Sequence, residues 1–372
     1  MFRNPITRTA SAPNRSMTKL DFVYEARASR VVFGAGHLAH LEREVLNLRS
    51  ERALVLCSPE QVEMGKRIVE RLGGRAAGLF DQATMHVPLE LAEQARGIAR
   101  EVNADCAVAV GGGSTIGLGK AIALTSDLPI LAIPTTYAGS EMTPVYGITQ
   151  AGIKRTGKDF RVMPKAVIYD PELTLSLPPA MSLTSGINAI AHAAEGLYAQ
   201  DANPVMSLMA QEGIAALARS LPAIVRSPAD IEARADALYG AWLCGTVLGN
   251  VGMALHHKLC HTLGGSFNLP HAQTHTIVLP HVLAYNRYAA PQAMERIARA
   301  IGAHDAATGL YALAQSNGAP VALKHIGMKQ EDVEKAAQIA TANPYWNPRP
   351  IDRDAIRALL QDAFDGVAPR DA

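Results

Sequence analysis

The chain has 372 residues, 35 Lys+Arg against 34 Asp+Glu, 48% hydrophobic and 19% charged residues, which excludes disorder, collagen and coiled coil and leaves room for two cores. A formal net charge of +1 gives no broad basic field, so a small molecule is expected as partner rather than nucleic acid or an acidic membrane surface. Aromatic residues at 5% beside 30 glycines favour closely packed helices and Gly-rich loops over a β-sandwich.

The first twenty residues are rich in Arg, Ser and Thr and lack acids, but Pro5 and Pro13 interrupt any amphipathic helix. They read as a flexible extension, with Met17 as an alternative start. From Arg30 to Asp170, short apolar runs at 30–34, 53–57, 106–110, 130–133 and 166–169 alternate with amphipathic stretches at 38–48, 59–73 and 88–102. That cadence predicts a Rossmann-like parallel sheet covered on both faces. After Asp170-Pro171 the strand signals stop. Ser182 to Leu360 reads as helices punctuated by Pro204, Pro222, Pro270, Pro291 and Pro320. The expected class is therefore α/β. An extension over 1–20 precedes a dinucleotide-binding domain over 21–175 and an all-helical substrate domain over 176–372, with Leu173 to Pro179 as the linker. Cys57, Cys106, Cys244 and Cys260 form no CxxC pair, and no apolar run reaches the roughly 20 residues of a membrane span; a cytoplasmic protein with reduced thiols is expected.

Gly111-Gly112-Gly113-Ser114 directly follows the buried run 106–110 and opens a helical pattern. Residues without Cβ let the backbone approach a pyrophosphate, and the helix start offers free N–H groups and a positive dipole end. The loop is neither GxGxxG nor a Walker loop. A second loop, 133–141, holds Thr135, Thr136, Tyr137 and Ser140 at another strand end, where α/β sheets collect ligands. Ordinary helix capping explains Ser140 equally well. Six of the 12 histidines fall within residues 256–281. Asn188 and His192, His257 and His261, and His271 and His275 are each four apart, so each pair shares one helix face and can aim at a common cleft. For His256, His281, His304 and His325 an ordinary core or surface role is expected.

GGGST at 111–115, IPTTYAGSE at 133–141 and the histidine series at 257–271 resemble the iron-containing (group III) alcohol dehydrogenase family over Phe22 to about residue 365. Within it, residues 22–38, 154–174 and Asn188 resemble the branch that reduces the C=C bond of maleylacetate. The family's metal site, an Asp and a His four apart followed by two His fourteen apart, falls here on Asn188, His192, His257 and His271. The Asp-to-Asn departure removes the one anionic ligand. Three imidazoles can still hold zinc, yet the branch resemblance implies a site without metal, and none is expected. The resemblance further implies hydride transfer from NADH or NADPH to a small dicarboxylate, a homodimer, and His261 as the proton relay. His192, His257, His271 and Asn188 would cradle the substrate, and Lys154 or Lys158 would reach cofactor phosphate. At the end of the second run stands Ser58 rather than the Asp that enforces NAD specificity, so both cofactors are expected. A metal-dependent alcohol or glycerol dehydrogenase and a non-redox relative of the same fold stay open.

Overall fold

A computed structural model describes residues 22–25, 29–150 and 153–369; the extension expected over 1–20 lies outside them. The first half builds a six-stranded sheet from β1 (Arg30–Phe33), β2 (Ala53–Leu56), β3 (Ala76–Phe80), β4 (Cys106–Gly111), β5 (Ile130–Pro134) and β8 (Ala166–Tyr169). Every pair is parallel, in the order β1-β8-β5-β4-β2-β3. β2, β4, β5 and β8 are buried along their whole length, as a sheet covered on both faces requires. Alternate residues serve the two faces. Ala53 and Val55 pack with Leu41 of α1 (Leu41–Asn47) and Ile68 of α2 (Val62–Leu72). Leu54 and Leu56 join the core containing α3 (Leu89–Glu101) and α4 (Gly113–Ser126).

Two strand features were illegible in the sequence. Ala76–Phe80 pairs with β2 although it holds no β-branched residue. Residues 154–158, which carry no strand signal in the sequence reading, belong to β7 (Ile153–Lys158), antiparallel to β6 (Val145–Gln150).

The second half is helical: α5 (Pro179–Leu197), α6 (Pro204–Arg226), α7 (Ile231–Asn250), α8 (Leu255–Phe267), α9 (His271–Asn286), α10 (Pro291–Ala300), α11 (Ala306–Ser316), α12 (Asp332–Thr341) and α13 (Arg353–Asp365). Pro204 and Pro291 open helices, where a missing N–H costs nothing. Pro222 does not punctuate; it lies inside α6. The halves share one core, to which Ala109 and Ile116 of the first and Leu183, Ile187 and Ile214 of the second all belong. The expected linker is likewise pinned. The buried Arg234 guanidinium of α7 donates to Leu177 O at 2.9 Å and Ser182 Oγ at 2.7 Å. Among the described residues, no single helix is long and apolar enough to cross a membrane.

Candidate active site

β3 and β4 lie on opposite sides of β2, so the chain reverses direction there and a crevice forms at the carboxyl ends of β2 and β4. Gly111 at its floor has φ 151°, and a Cβ there would stand 2.5 Å from Thr115 Oγ1 and 2.7 Å from Gln61 Oε1. Gly112, extended and without a side-chain cap, starts α4, leaving first-turn N–H groups directed at the crevice. Thr135 N donates to Gly111 O at 3.1 Å, and a Cβ on Gly112 would come within 3.1 Å of the Thr136 methyl. Gln61, three residues after Ser58, was not legible as a site residue; its Nε2 donates to Thr135 Oγ1 at 2.9 Å and joins the two loops.

The other expected cofactor contacts are placed differently. Tyr137 is fully buried and turned into the core, its hydroxyl 3.5 Å from Arg234 Nη1. Ser140 offers its carbonyl to Lys120 Nζ, which also donates to Thr143 Oγ1 and Val145 O, at 2.6, 2.8 and 2.8 Å. All three Lys120 protons are thereby placed, although burial, opposed by Glu141, pulls its pKa down to about 7. Lys154 pairs with Thr149 and Lys158 with Val145 in the hairpin; Lys158 is exposed.

The 134–143 segment carries the crevice to the helices. Gly139 has φ 77°, a conformation suited to glycine, and its hypothetical Cβ lies 3.0 Å from Gly245 Cα and 3.6 Å from His192 Nδ1. One turn along α7, a Cβ on Gly249 would overlap the Met142 carbonyl oxygen. Tyr137 N donates to Ser185 Oγ at 3.1 Å, fixing the segment to the helix that bears Asn188 and His192.

Behind it, α5, α8 and α9 bring together His192, His257 and His275, whose ligand atoms all lie within 4.8 Å of one another. The His192–His257 and His257–His275 ring centroids are both 5.1 Å apart. His271, the position implied by the family resemblance, stacks against His275 at 4.1 Å and, like His261, is exposed. The i, i+4 spacing of His271 and His275 was the signal for the inner residue, but spacing alone does not say which member faces inward. His192 Nδ1, His257 Nε2, both His275 ring nitrogens and Asn188 Oδ1 are buried without a hydrogen-bond partner. Burial foremost, then the neighbouring imidazoles, holds His192, His257 and His275 well below the ordinary histidine range. Neutral rings with bare buried nitrogens present lone pairs, the chemistry of a cation site rather than of a cationic cradle.

Burial also pulls His256 and His281 from 6.5 down to about 4. Because their folded pKa lies below the unfolded value, the unfolded chain takes up protons first as pH falls. Stability is complete above about pH 6.5 and is lost on the way to about pH 4. Each group contributes a slope of about 1.4 kcal/mol per pH unit in that window. We expect a melting temperature level above pH 7 and lower by several degrees at pH 5, with a shallower fall in His281→Gln. Equal melting temperatures at pH 7 and 5 would contradict this account.

Comparison with known proteins gives two family models, iron-containing alcohol dehydrogenase over residues 28–171 and the Fe-containing alcohol dehydrogenase family, C-terminal, over 182–364. A maleylacetate reductase of Burkholderia cepacia is 63% identical, the match covering 94% of this chain and 99% of the relative. The crystal structure of maleylacetate reductase from Agrobacterium tumefaciens superposes with TM-score 0.91 at 53% identity over 94% of this chain and 99% of that one. A crystal structure titled putative alcohol dehydrogenase from Ralstonia eutropha JMP134 gives 0.93 at 66% identity, with 94% and 99% covered. The family overturns the expectation of a site without metal. The donor set agrees with that correction, because His275 supplies a third inward imidazole beside the neutral Asn188.

Proposed function

Since the chain belongs to the iron-containing alcohol dehydrogenase family, we propose that it acts as a maleylacetate reductase, reducing the substrate C=C bond with NAD(P)H to give 3-oxoadipate in aromatic-compound degradation. The observation that carries this reading is 63% identity to a protein of that activity, with both chains matched over nearly their full length. In support, the uncapped α4 start and Gly111–Ser114 suit a pyrophosphate, with Thr135 and Thr136 beside the glycines. His192, His257 and His275 fit a divalent ion.

A dihydronicotinamide bound at the Gly111–Ser114 crevice would supply the hydride, and a divalent ion held by His192, His257 and His275 would supply positive charge to the developing enolate. The chain must then stabilise an enolate and deliver one proton to the neighbouring carbon. In this reading His261 and His271, exposed beside the buried imidazoles, pass that proton in from water. Asn188, one turn before His192, orients the substrate with its amide. The chain uses no carboxylate at residues 57–59 to reject a 2′-phosphate. NADH and NADPH are therefore expected to give kcat/KM values within about a hundredfold of each other; a larger preference for NADH would refute this reading of Ser58.

We also assign a homodimer, because β1 is an edge strand and Phe22, Val23 and Tyr24 before it are exposed apolar residues. A cytoplasmic location suits four free, buried thiols. The test of the activity is loss of NADH absorbance with maleylacetate, beside simple aldehydes and glycerol. Rapid turnover with maleylacetate and identification of 3-oxoadipate are expected. Turnover of the alcohol-type controls without maleylacetate reduction would favour the metal-dependent alcohol dehydrogenase instead.

A further inference from the structure

Glu195 lies three residues after His192 on α5 and is fully buried. Its carboxylate receives three backbone donors at the start of α8: Ala254 N at 3.0 Å and His257 N at 3.3 Å on Oε2, and His256 N at 2.7 Å on Oε1. A carboxylate surrounded in this way is an acceptor on both oxygens. Two further contacts reach it, the Tyr198 hydroxyl donating to Oε1 at 3.5 Å and His257 Nδ1 at 2.7 Å from Oε2. A ring nitrogen that close to an acceptor must carry the proton.

The adjacent ring leads independently to the same result. His256 Nε2 lies 3.0 Å from the His275 carbonyl oxygen, which can only accept, so neutral His256 keeps its proton on Nε2. Its bare Nδ1 faces His257 Nδ1 at 3.5 Å, and two bare nitrogens would not be held together there. His257 Nε2 is then left without a proton, buried and unpartnered. His192 Nδ1 and both His275 nitrogens have no such orienting acceptor.

We propose that Glu195 is a positioning residue: its carboxylate fixes His257 in the Nδ1–H tautomer and keeps the Nε2 lone pair turned into the cavity. This rests on the reading of the three imidazoles as the reaction site. The carboxylate also caps α8, so the ring is oriented by the element that carries it. Such partners of metal-binding histidines characteristically affect metal affinity by about 10- to 100-fold when removed.

The test uses full-length protein labelled with ¹⁵N-histidine, in which long-range ¹⁵N–¹H spectra report the tautomer of each ring. The His257 signals are identified by their loss in His257→Gln. Wild-type protein should show Nδ1 protonated and Nε2 bare; a proton on Nε2 instead would overturn the proposal, whatever the enzyme reduces. In Glu195→Ala the tautomer should become mixed, and Co²⁺ added to chelator-stripped protein should bind about 10- to 100-fold more weakly by its visible absorption. Glu195→Gln, whose amide oxygen can still accept from Nδ1, should restore the tautomer and most of the affinity. An unchanged tautomer in Glu195→Ala would equally overturn the proposal. If Glu195→Ala does not fold, the wild-type spectrum and Glu195→Gln decide. Failure to reduce maleylacetate with the wild-type tautomer as stated would count against the function and not against Glu195.

Discussion

Replacing His257 with alanine is expected to lower kcat/KM for maleylacetate by roughly 10²- to 10⁴-fold, the scale of a lost acid–base or charge-stabilising group. Its ring is the most constrained of the cluster: 5.1 Å from both His192 and His275, buried, and anchored by Glu195. The variant also leaves the Glu195 carboxylate without its imidazole partner, so part of the loss comes from a loosened α8 start. NAD(P)H affinity should change little, because the crevice at β2 and β4 is built from Gly111, Gly112, Gln61 and Thr135. His261→Ala should show a loss in the same range, concentrated in kcat if it relays the proton. Near-wild-type turnover in both variants would refute these roles.

Gly249→Ala should loosen the second loop from the helical half. In an exposed helix this change gains about 1 kcal/mol. Here the new methyl would overlap the Met142 carbonyl oxygen, which is backbone and cannot rotate aside. Overpacking of this kind costs about 1–3 kcal/mol, and the relief available is displacement of residues 139–143 from α7. A melting temperature lower by a few degrees and a several-fold higher KM for cofactor are expected. Gly265→Ala in α8, where nothing lies within 4 Å of the added methyl, is the control and should be neutral or stabilising. Equal behaviour of the two variants would show that the seating of this segment does not matter.

The buried strands were readable because β-branched and small apolar residues run unbroken in 106–110 and 130–133. Ala76–Phe80 was not, since a pairing with β2 stabilises it without intrinsic preference. The glycines of 111–113 and the α8 histidines carried the site, as their spacing constrains geometry within a turn or two. What spacing cannot carry is rotation of a helix about its own axis. α9 buries His275 against His192 and His257 and leaves His271 at the surface beside it. Gln61 and Glu195 escaped for a related reason: each acts by bridging segments distant in the chain. The expectation of no metal came from the branch resemblance and the neutral Asn188, although three imidazoles, the third of them on α9, were already counted as able to hold an ion.

Lys120 and Arg234 together leave the second loop no slack. One ammonium grips the Ser140 and Val145 carbonyls and the Thr143 hydroxyl, while the guanidinium ties α7 to the strap that leads into α5. A swinging flap is therefore not built into this side of the molecule. Within the imidazole cluster, the histidines that meet solvent are His261, on the α8 side, and His271, at the start of α9.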